Sequence, residues 1–570
     1  YRFIIEVNPT ESTTAIRAKV WTEGFSEPPV WQIDCEDSSA SRLRYGSIGC
    51  FSSGPGPKYW TNLTVVLSDS SPVEPGPGSA IRAQPGHLVI EVGSTANARV
   101  LDELDPLLDV TKDVLFAVAD ESIATATLTG GSIAVRGVAP GHTRIDVAHP
   151  TMGTAGILVD VYEPGGTSNG EFRTSITRGG ITWNFSAPAL TGQYVNGDWW
   201  VVGPVTIQST SPSWDGRHHG SSINPRYGPR QGLDGRFAYD AALRVSFPKV
   251  VQANSSVVSV RSWKIGEQGA PVVPAAQTLQ VPRPAIRNAA VLTVVAAPPP
   301  ADSFRPGYAG TRKRVHTLRD LDLGILPELD PVAGMPSLSS VLGRFEGVWL
   351  DLIHAWQGRY LHPDANMPDY GRDICATFNE ASLLLLLDID PGFKRDLAIR
   401  LTQIGIDYYS VLQTGGEWGV IGGGIGSGRK WPILLAGALL NDSEMLSIGT
   451  SFSDRSFMED CQTFFLTSSD LSRYPGKRVG DPVWGERHCD FGRGNYSDPG
   501  ATGYQWCCTG NAWGGAALGA RILGLMDLWH HPPYFAYQDW YMTQKAKGDW
   551  QRSWTGSFVE NMWDTYRRRF

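Results

Sequence analysis

The pattern of apolar and polar positions changes character twice along the chain. Up to about residue 73 the two alternate in short runs, as in Arg2-Phe3-Ile4-Ile5-Glu6-Val7 and Asn62-Leu63-Thr64-Val65-Val66-Leu67. Period two between turn residues predicts antiparallel strands. After a Pro/Gly/Ser-rich linker around 70–79 the same texture returns, with strands expected at 87–92, 114–118, 131–138, 143–147 and 155–161. A second linker, 163–170, precedes another β block, rich in Val, Thr and Trp and punctuated by Asn-Gly and Asp-Gly turns, that runs to about 298. Beyond Ser337 the period becomes 3.6. Val341, Leu342, Phe345, Val348, Trp349, Leu352, Ile353 and Trp356 form one stripe, and further helices are expected at 374–387, 393–412, 431–440, 512–529 and 558–566. Their long loops, rich in Gly and aromatics, do not suit a bundle with tight turns. The fold class is therefore multi-domain β plus α: a β-rich domain at 1–73, β-sandwiches at 80–163 and 171–300, and a helical domain at 301–570.

Composition narrows the function classes. The 570 residues hold 64 Gly and 39 Pro, above the roughly 12% combined that is usual, so turns and loops abound. A hydrophobic share of 41% excludes wholesale disorder. The net charge of −8 argues against nucleic acid as partner, because phosphate binding needs a basic face. No apolar run approaches the roughly 18 residues of a membrane span. The chain begins at Tyr1, which reads as processing or as a fragment. Among seven cysteines, Cys35 and Cys50 could close a hairpin-sized loop, the adjacent Cys507 and Cys508 stand too close for ordinary disulfide geometry, and Cys461 and Cys489 could pair with each other or with one of these two. There is no Cys-x-x-Cys and no His pair at metal spacing, so neither a metal nor another cofactor is expected. An extracellular or cell-surface address fits best.

Three stretches could carry chemistry. Between Trp418 and Trp431 lies a loop dominated by glycine that ends in Arg429-Lys430. Such a loop either lets backbone approach a sugar ring, with Arg429 or Lys430 pairing with an acid group, or is a tight inter-helix turn. A phosphate-loop reading fails, since Gly-x-x-x-x-Gly-Lys-(Ser/Thr) is absent. Residues 360–380 bring together His362, Tyr370, Arg372 and Asn379. These are the groups β-elimination from a uronic acid needs: an amide or cation to neutralise the carboxylate, and His or Tyr to move protons. A long aperiodic loop holds Arg487, His488, Tyr504 and Trp506, and loops of that length are commonly functional. Tryptophans such as Trp418 and Trp506 could stack on sugar faces, although burial is their commoner fate.

The turn Gly137-Val138-Ala139-Pro140-Gly141-His142-Thr143 resembles the hallmark of bacterial Ig-like group 2 domains, which implies a β-sandwich spacer. Asn196-Gly197-Asp198-Trp199-Trp200, Asn366-Met367-Pro368-Asp369-Tyr370-Gly371-Arg372, Gly426-Ser427-Gly428-Arg429-Lys430-Trp431-Pro432 and Cys507-Cys508-Thr509-Gly510-Asn511 together resemble large secreted bacterial proteins similar to helical-toroid polysaccharide lyases of the alginate, heparin and glucuronan kind. This resemblance, over about 171–545, implies a β-sandwich on an (α/α) toroid with an acidic-glycan cleft. Under it Asn379 and Arg429 would neutralise the carboxylate. His362 or His488, with Tyr370 or Tyr504, would transfer protons. Arg372, Trp418, Lys430, Arg487 and Trp506 would bind substrate. Asn379, Arg429 and Tyr504 should then converge. One departure stands out: where the family's loop reads Gly-Gly-His-x-x-Gly-Arg-Lys this chain has Ile425, which cannot move a proton. Two functions follow as expectations. One is a secreted lyase cleaving acidic polysaccharide. The other is a non-catalytic surface, adhesin or virion (phage tail) component with a vestigial carbohydrate cleft, self-assembling through its N-terminal β domains.

Overall fold

The computed structural model describes residues 2–9, 13–21, 28, 30–38, 80–103, 108–162, 170–273, 279–354, 356–486, 489, 505–543 and 556–570. The chain divides into two compact units, one of residues 1–83, 99–116 and 147–155, the other of 84–98, 117–146 and 156–570. In the first, Arg2–Pro9, Thr14–Trp21 and Ile33–Asp37 form an antiparallel sheet in that order. The expected strand at 62–67 and the partner Cys50 lie outside the described residues.

Strands between 80 and 162 form two four-stranded sheets. One has the order His87–Glu91, Gly153–Tyr162, Gly141–His149, Leu115–Val118; the other runs Ile81–Gln84, Thr95–Asp102, Ser132–Gly137, Ala124–Thr129. Alternate residues point inward, so Ile133 and Val135, like Thr143 and Ile145, are buried while their neighbours face out. His87–Glu91 pairs in parallel with Leu158–Tyr162 over five positions. There Asp160 accepts from His87 Nε2 at 2.8 Å and from Arg395 Nε at 2.7 Å, and His87 Nδ1 donates to the Leu321 carbonyl.

The next sheet has eight strands, ordered Ser221–Ile223, Ser255–Ser262, Ile286–Val295, Trp199–Val202, Ile181–Gln193, Val205–Ser211, Lys249–Val251, with Glu171–Arg178 paired to Ile181–Gln193. Its two central long strands are buried on both faces. Val257, Leu292 and Val294 pack with Trp183, Phe185 and Ile207, whereas Val258, Val260 and Val291 join the large core shared with the helices. Two covered faces explain why Ile286–Val295 reads as a nearly continuous Val/Ala/Leu run.

The helical region comprises α1 (Leu338–Gly343), α2 (Gly371–Leu384), α3 (Pro391–Gln413), α4 (Lys430–Leu439), α5 (Gly510–Ile522), α6 (Pro532–Met542) and α7 (Ser557–Tyr566), with shorter turns between them. α3 begins where Asp390 caps the Phe393 N–H at 2.7 Å and Pro391 fills the first helical position. The stripe 341–356 departs from expectation. The helix stops at Gly343, and 344–354 runs irregular or extended, with Gly228 bonded to both Leu352 and His354. Gly347 sits where a Cβ would meet Asn366 at 2.6 Å, and Val348, Trp349, Leu350 and Leu352 are all buried, so the apolar positions mark complete enclosure rather than one helical face. The segment expected as one helix at 512–529 is broken after α5, where Gly524 adopts φ +67°. No helix among the described residues is long and apolar enough to cross a membrane.

Candidate functional site

The glycine-rich loop joins α3 to α4, and its glycines are demanded by backbone contacts within the protein. A Cβ on Gly424 would lie 1.9 Å from the Cys508 carbonyl oxygen, one on Gly426 2.1 Å from that of Trp418, and one on Gly371 2.0 Å from that of Ile425. The Gly424 N–H donates to the Tyr370 hydroxyl at 3.0 Å and the Gly423 N–H to Glu486 Oε1 at 2.7 Å. The protein's own backbone thus occupies the room the glycines make.

Behind the loop lies a buried polar chain. Arg429, 1% exposed, donates through Nε to Asp351 Oδ2 at 2.8 Å and through Nη1 to the carbonyls of Ile425 and Ser427. The other Asp351 oxygen faces His362 Nε2 at 3.4 Å, and His362 Nδ1 donates to the Asp369 carbonyl at 2.8 Å. Burial opposes the Asp351 charge, but Arg429 and His362 beside it hold its carboxyl well below the usual range. Glu459 accepts from the Gly428 N–H through Oε1 while its Oε2 has no partner among the described residues; burial pushes this carboxyl up to about 7. Lys430 is ion-paired to Asp460, donates to the Trp529 carbonyl and lies over the rings of Phe457 and Trp529.

The remaining expected residues fall as follows. Asn379 is buried, its Nδ2 donating to the Ala512 carbonyl at 2.7 Å across the α2–α5 contact, its Oδ1 without a partner among the described residues. Trp418 is buried against Phe457, Tyr408 and Tyr227. Trp506 is half-buried beside Trp540 and Tyr541. Arg487, His488 and Tyr504 lie outside the described residues, and with them the convergence expected of Asn379, Arg429 and Tyr504. Cys461 bonds Cys489. Cys507 and Cys508 bond each other, contrary to the sequence expectation: the backbone, wound as a π-turn over Gln505–Thr509, accepts a small ring at a Cα separation of 3.8 Å, below the ordinary disulfide range. Cys35 is exposed and forms no disulfide among the described residues.

Tyr370 and Arg372 belong to a different arrangement, a largely buried ladder of cations and rings. Trp356 opens a 3₁₀ turn, Trp356–Tyr360, and stands 46% exposed. The Arg359 guanidinium lies 4.4 Å from the Trp356 ring centre and 4.7 Å from that of Tyr370; Arg283 lies 5.4 Å from Trp356, and Arg372 5.6 Å from Tyr370. Three cations and two aromatic rings therefore alternate. Asp369 Oδ2 accepts from Arg283 Nε at 3.0 Å and Arg359 Nη2 at 2.6 Å, while Arg372 pairs with Asp373 and donates to the Cys507 carbonyl. Burial, only partly offset by Asp369, pulls the Arg359 pKa below its ordinary value, and the like charge of Arg283 adds to this. An open groove of about 670 Å³ runs alongside, lined by Val272, Arg283, Arg344, Asn366, Asp369 and Thr377 among others. Sequence reasoning missed Arg283, Arg359 and Trp356. The available signal was an arginine set between two prolines (282–284) and a Trp-x-x-Arg directly ahead of the His362 stretch.

No family model matches the chain, and no curated protein matches it. Solved structures give matches that include the S-layer protein rSbsC(31-844), at 14% identity over 52% of this chain and 32% of that one, with a TM-score of 0.15. Domains 5-6 of the S-layer protein SbsC match at 17% identity over 39% of this chain and 99% of theirs, again with a TM-score of 0.15. The chain thus spans about a third of the length of the first of these. Values this low do not establish a shared fold.

Proposed function

We propose that this chain is an extracellular carbohydrate-binding protein without lyase activity, in which Ig-like β domains and a frame like that of helical-toroid polysaccharide lyases serve as scaffold. The observation that carries this reading is the Arg429–Asp351–His362 chain. Each of these groups is at least nine-tenths buried, and the guanidinium and imidazole contacts run to protein partners. β-Elimination needs a cation or amide beside the substrate carboxylate and a base within hydrogen-bond reach of the C5 proton. Asn379 and Lys430 are enclosed in the same way, and Ile425 offers no proton. Two disulfides support an oxidising, extracellular address. The test is incubation with alginate, glucuronan and glycosaminoglycans across pH and calcium, following both binding and the absorbance of unsaturated product. Binding without product is expected. Product that accumulates with wild-type protein and disappears with Tyr370→Phe would overturn the reading in favour of a lyase.

A further inference from the structure

We infer that the Cys507–Cys508 disulfide is a redox-sensitive latch, opened by a dithiol, that holds the glycine-rich loop between α3 and α4 in place. Such a latch is independent of which ligand the protein takes.

A disulfide stabilises mainly by restricting the unfolded chain, and the effect grows with the loop it closes. Cys461–Cys489, at a separation of 28 positions, is a staple of this kind. Cys507–Cys508 joins neighbours and restricts the unfolded chain little. Its effect is local. The small ring includes the peptide bond between the two residues, so closing it limits ψ of Cys507 and φ of Cys508, the soft dihedrals on either side of that bond. The backbone of the π-turn Gln505–Thr509 is thereby held in one shape.

Both cysteine carbonyls of that turn meet other elements. The Cys507 carbonyl accepts from Arg372 Nη1, on α2, at 3.0 Å. The Cys508 carbonyl lies against the glycine-rich loop, where a Cβ on Gly424 would stand 1.9 Å from it. Gly424 also donates its N–H to the Tyr370 hydroxyl at 3.0 Å, just ahead of α2. The ring, the start of α2 and the loop therefore form a closed triangle of contacts, and a change in the ring is felt at the loop.

Access favours this bond. Cys507 and Cys508 are both partly exposed, whereas Cys461 is fully enclosed. Exchange begins when a thiolate attacks a disulfide sulfur, so the more exposed bond is the one a dithiol in solution meets first. One cysteine leaves as thiolate while the other forms a mixed disulfide with the reagent. The reagent's second thiol then displaces that cysteine and closes a ring of its own. Two electrons and two protons have passed to the protein, and the reagent departs as its cyclic disulfide.

The experiment titrates the full chain with dithiothreitol, alkylates the released thiols, assigns them by peptide mass spectrometry and follows hydrogen exchange in the same samples. Cys507 and Cys508 should be labelled at a dithiothreitol concentration at least about tenfold below that needed for Cys461 and Cys489. Amides of 419–428 should then exchange about tenfold faster, and slow again on reoxidation. A variant carrying Cys507→Ser and Cys508→Ser should exchange fast without reductant, and one carrying Cys461→Ser and Cys489→Ser should keep the wild-type response. Reduction of Cys461–Cys489 before the vicinal pair, or together with it, overturns the latch, as does a vicinal pair that stays oxidised throughout. So does a reduced vicinal pair with exchange at 419–428 unchanged. The wild-type titration decides the question even if either variant fails to fold.

Discussion

Arg429 and Arg359 sit in the same helical region, each buried and each paired with a carboxylate, yet their surroundings differ. Around Arg429 the guanidinium, Asp351 and His362 are enclosed behind a loop whose glycines press backbone on backbone. Around Arg359, which is itself buried, two cations crowd one carboxylate oxygen beside an indole that is nearly half exposed. Residue type alone does not tell the two apart. What separates them is whether the protein has already supplied every partner.

The contrast predicts a graded series. Arg429→Ala strips a buried carboxylate of its cation and should cost about 3–5 kcal/mol in denaturant unfolding. A drop below about 1 kcal/mol would show that water reaches Asp351 and would erase the contrast. Glu459 supplies the next effect. With its carboxyl pushed up to about 7 from an ordinary 4.5, the stability it contributes is full below pH 4.5 and is lost as pH rises through about 7. Urea midpoints measured from pH 5 to 8 should therefore fall for wild type and fall less for Glu459→Gln. Gly424→Ala forces the loop off the Cys508 carbonyl and should destabilise by about 1–3 kcal/mol. At the ladder, Arg283→Ala removes a partly exposed pair and should change stability by less than about 1 kcal/mol. A loss as large as that of Arg429→Ala would make the ladder a structural element like the buried chain.

Periodicity located most of the architecture. The strands at 87–91, 132–137 and 153–162, and helices α2, α3, α4 and α7, lie within a few residues of their expected places because each hides one set of side chains at a regular interval. It failed where enclosure is total. The stripe 341–356 looked helical because nearly everything in it is buried, and α6 went unseen because Tyr534, Phe535, Tyr537 and Tyr541 are buried on several sides of one short helix. The ladder was illegible for a different reason: Arg283 and Arg359 are 76 positions apart, and only the folded chain brings both to Asp369. Tyr370 and Arg372 are close in the sequence, but the partners that define their surroundings, Arg283 and Arg359, are not adjacent to them in it.

The parallel pairing of His87–Glu91 with Leu158–Tyr162 has a mechanical consequence. Tension applied at residue 87 toward the N-terminus and at residue 162 toward the C-terminus drags these two strands past each other lengthwise. Their hydrogen bonds are then loaded in shear, all sharing the force, rather than peeled open one at a time. Asp160, gripped from one side by His87 and from the other by Arg395 on α3, acts as a rivet in that seam and ties it to the helices.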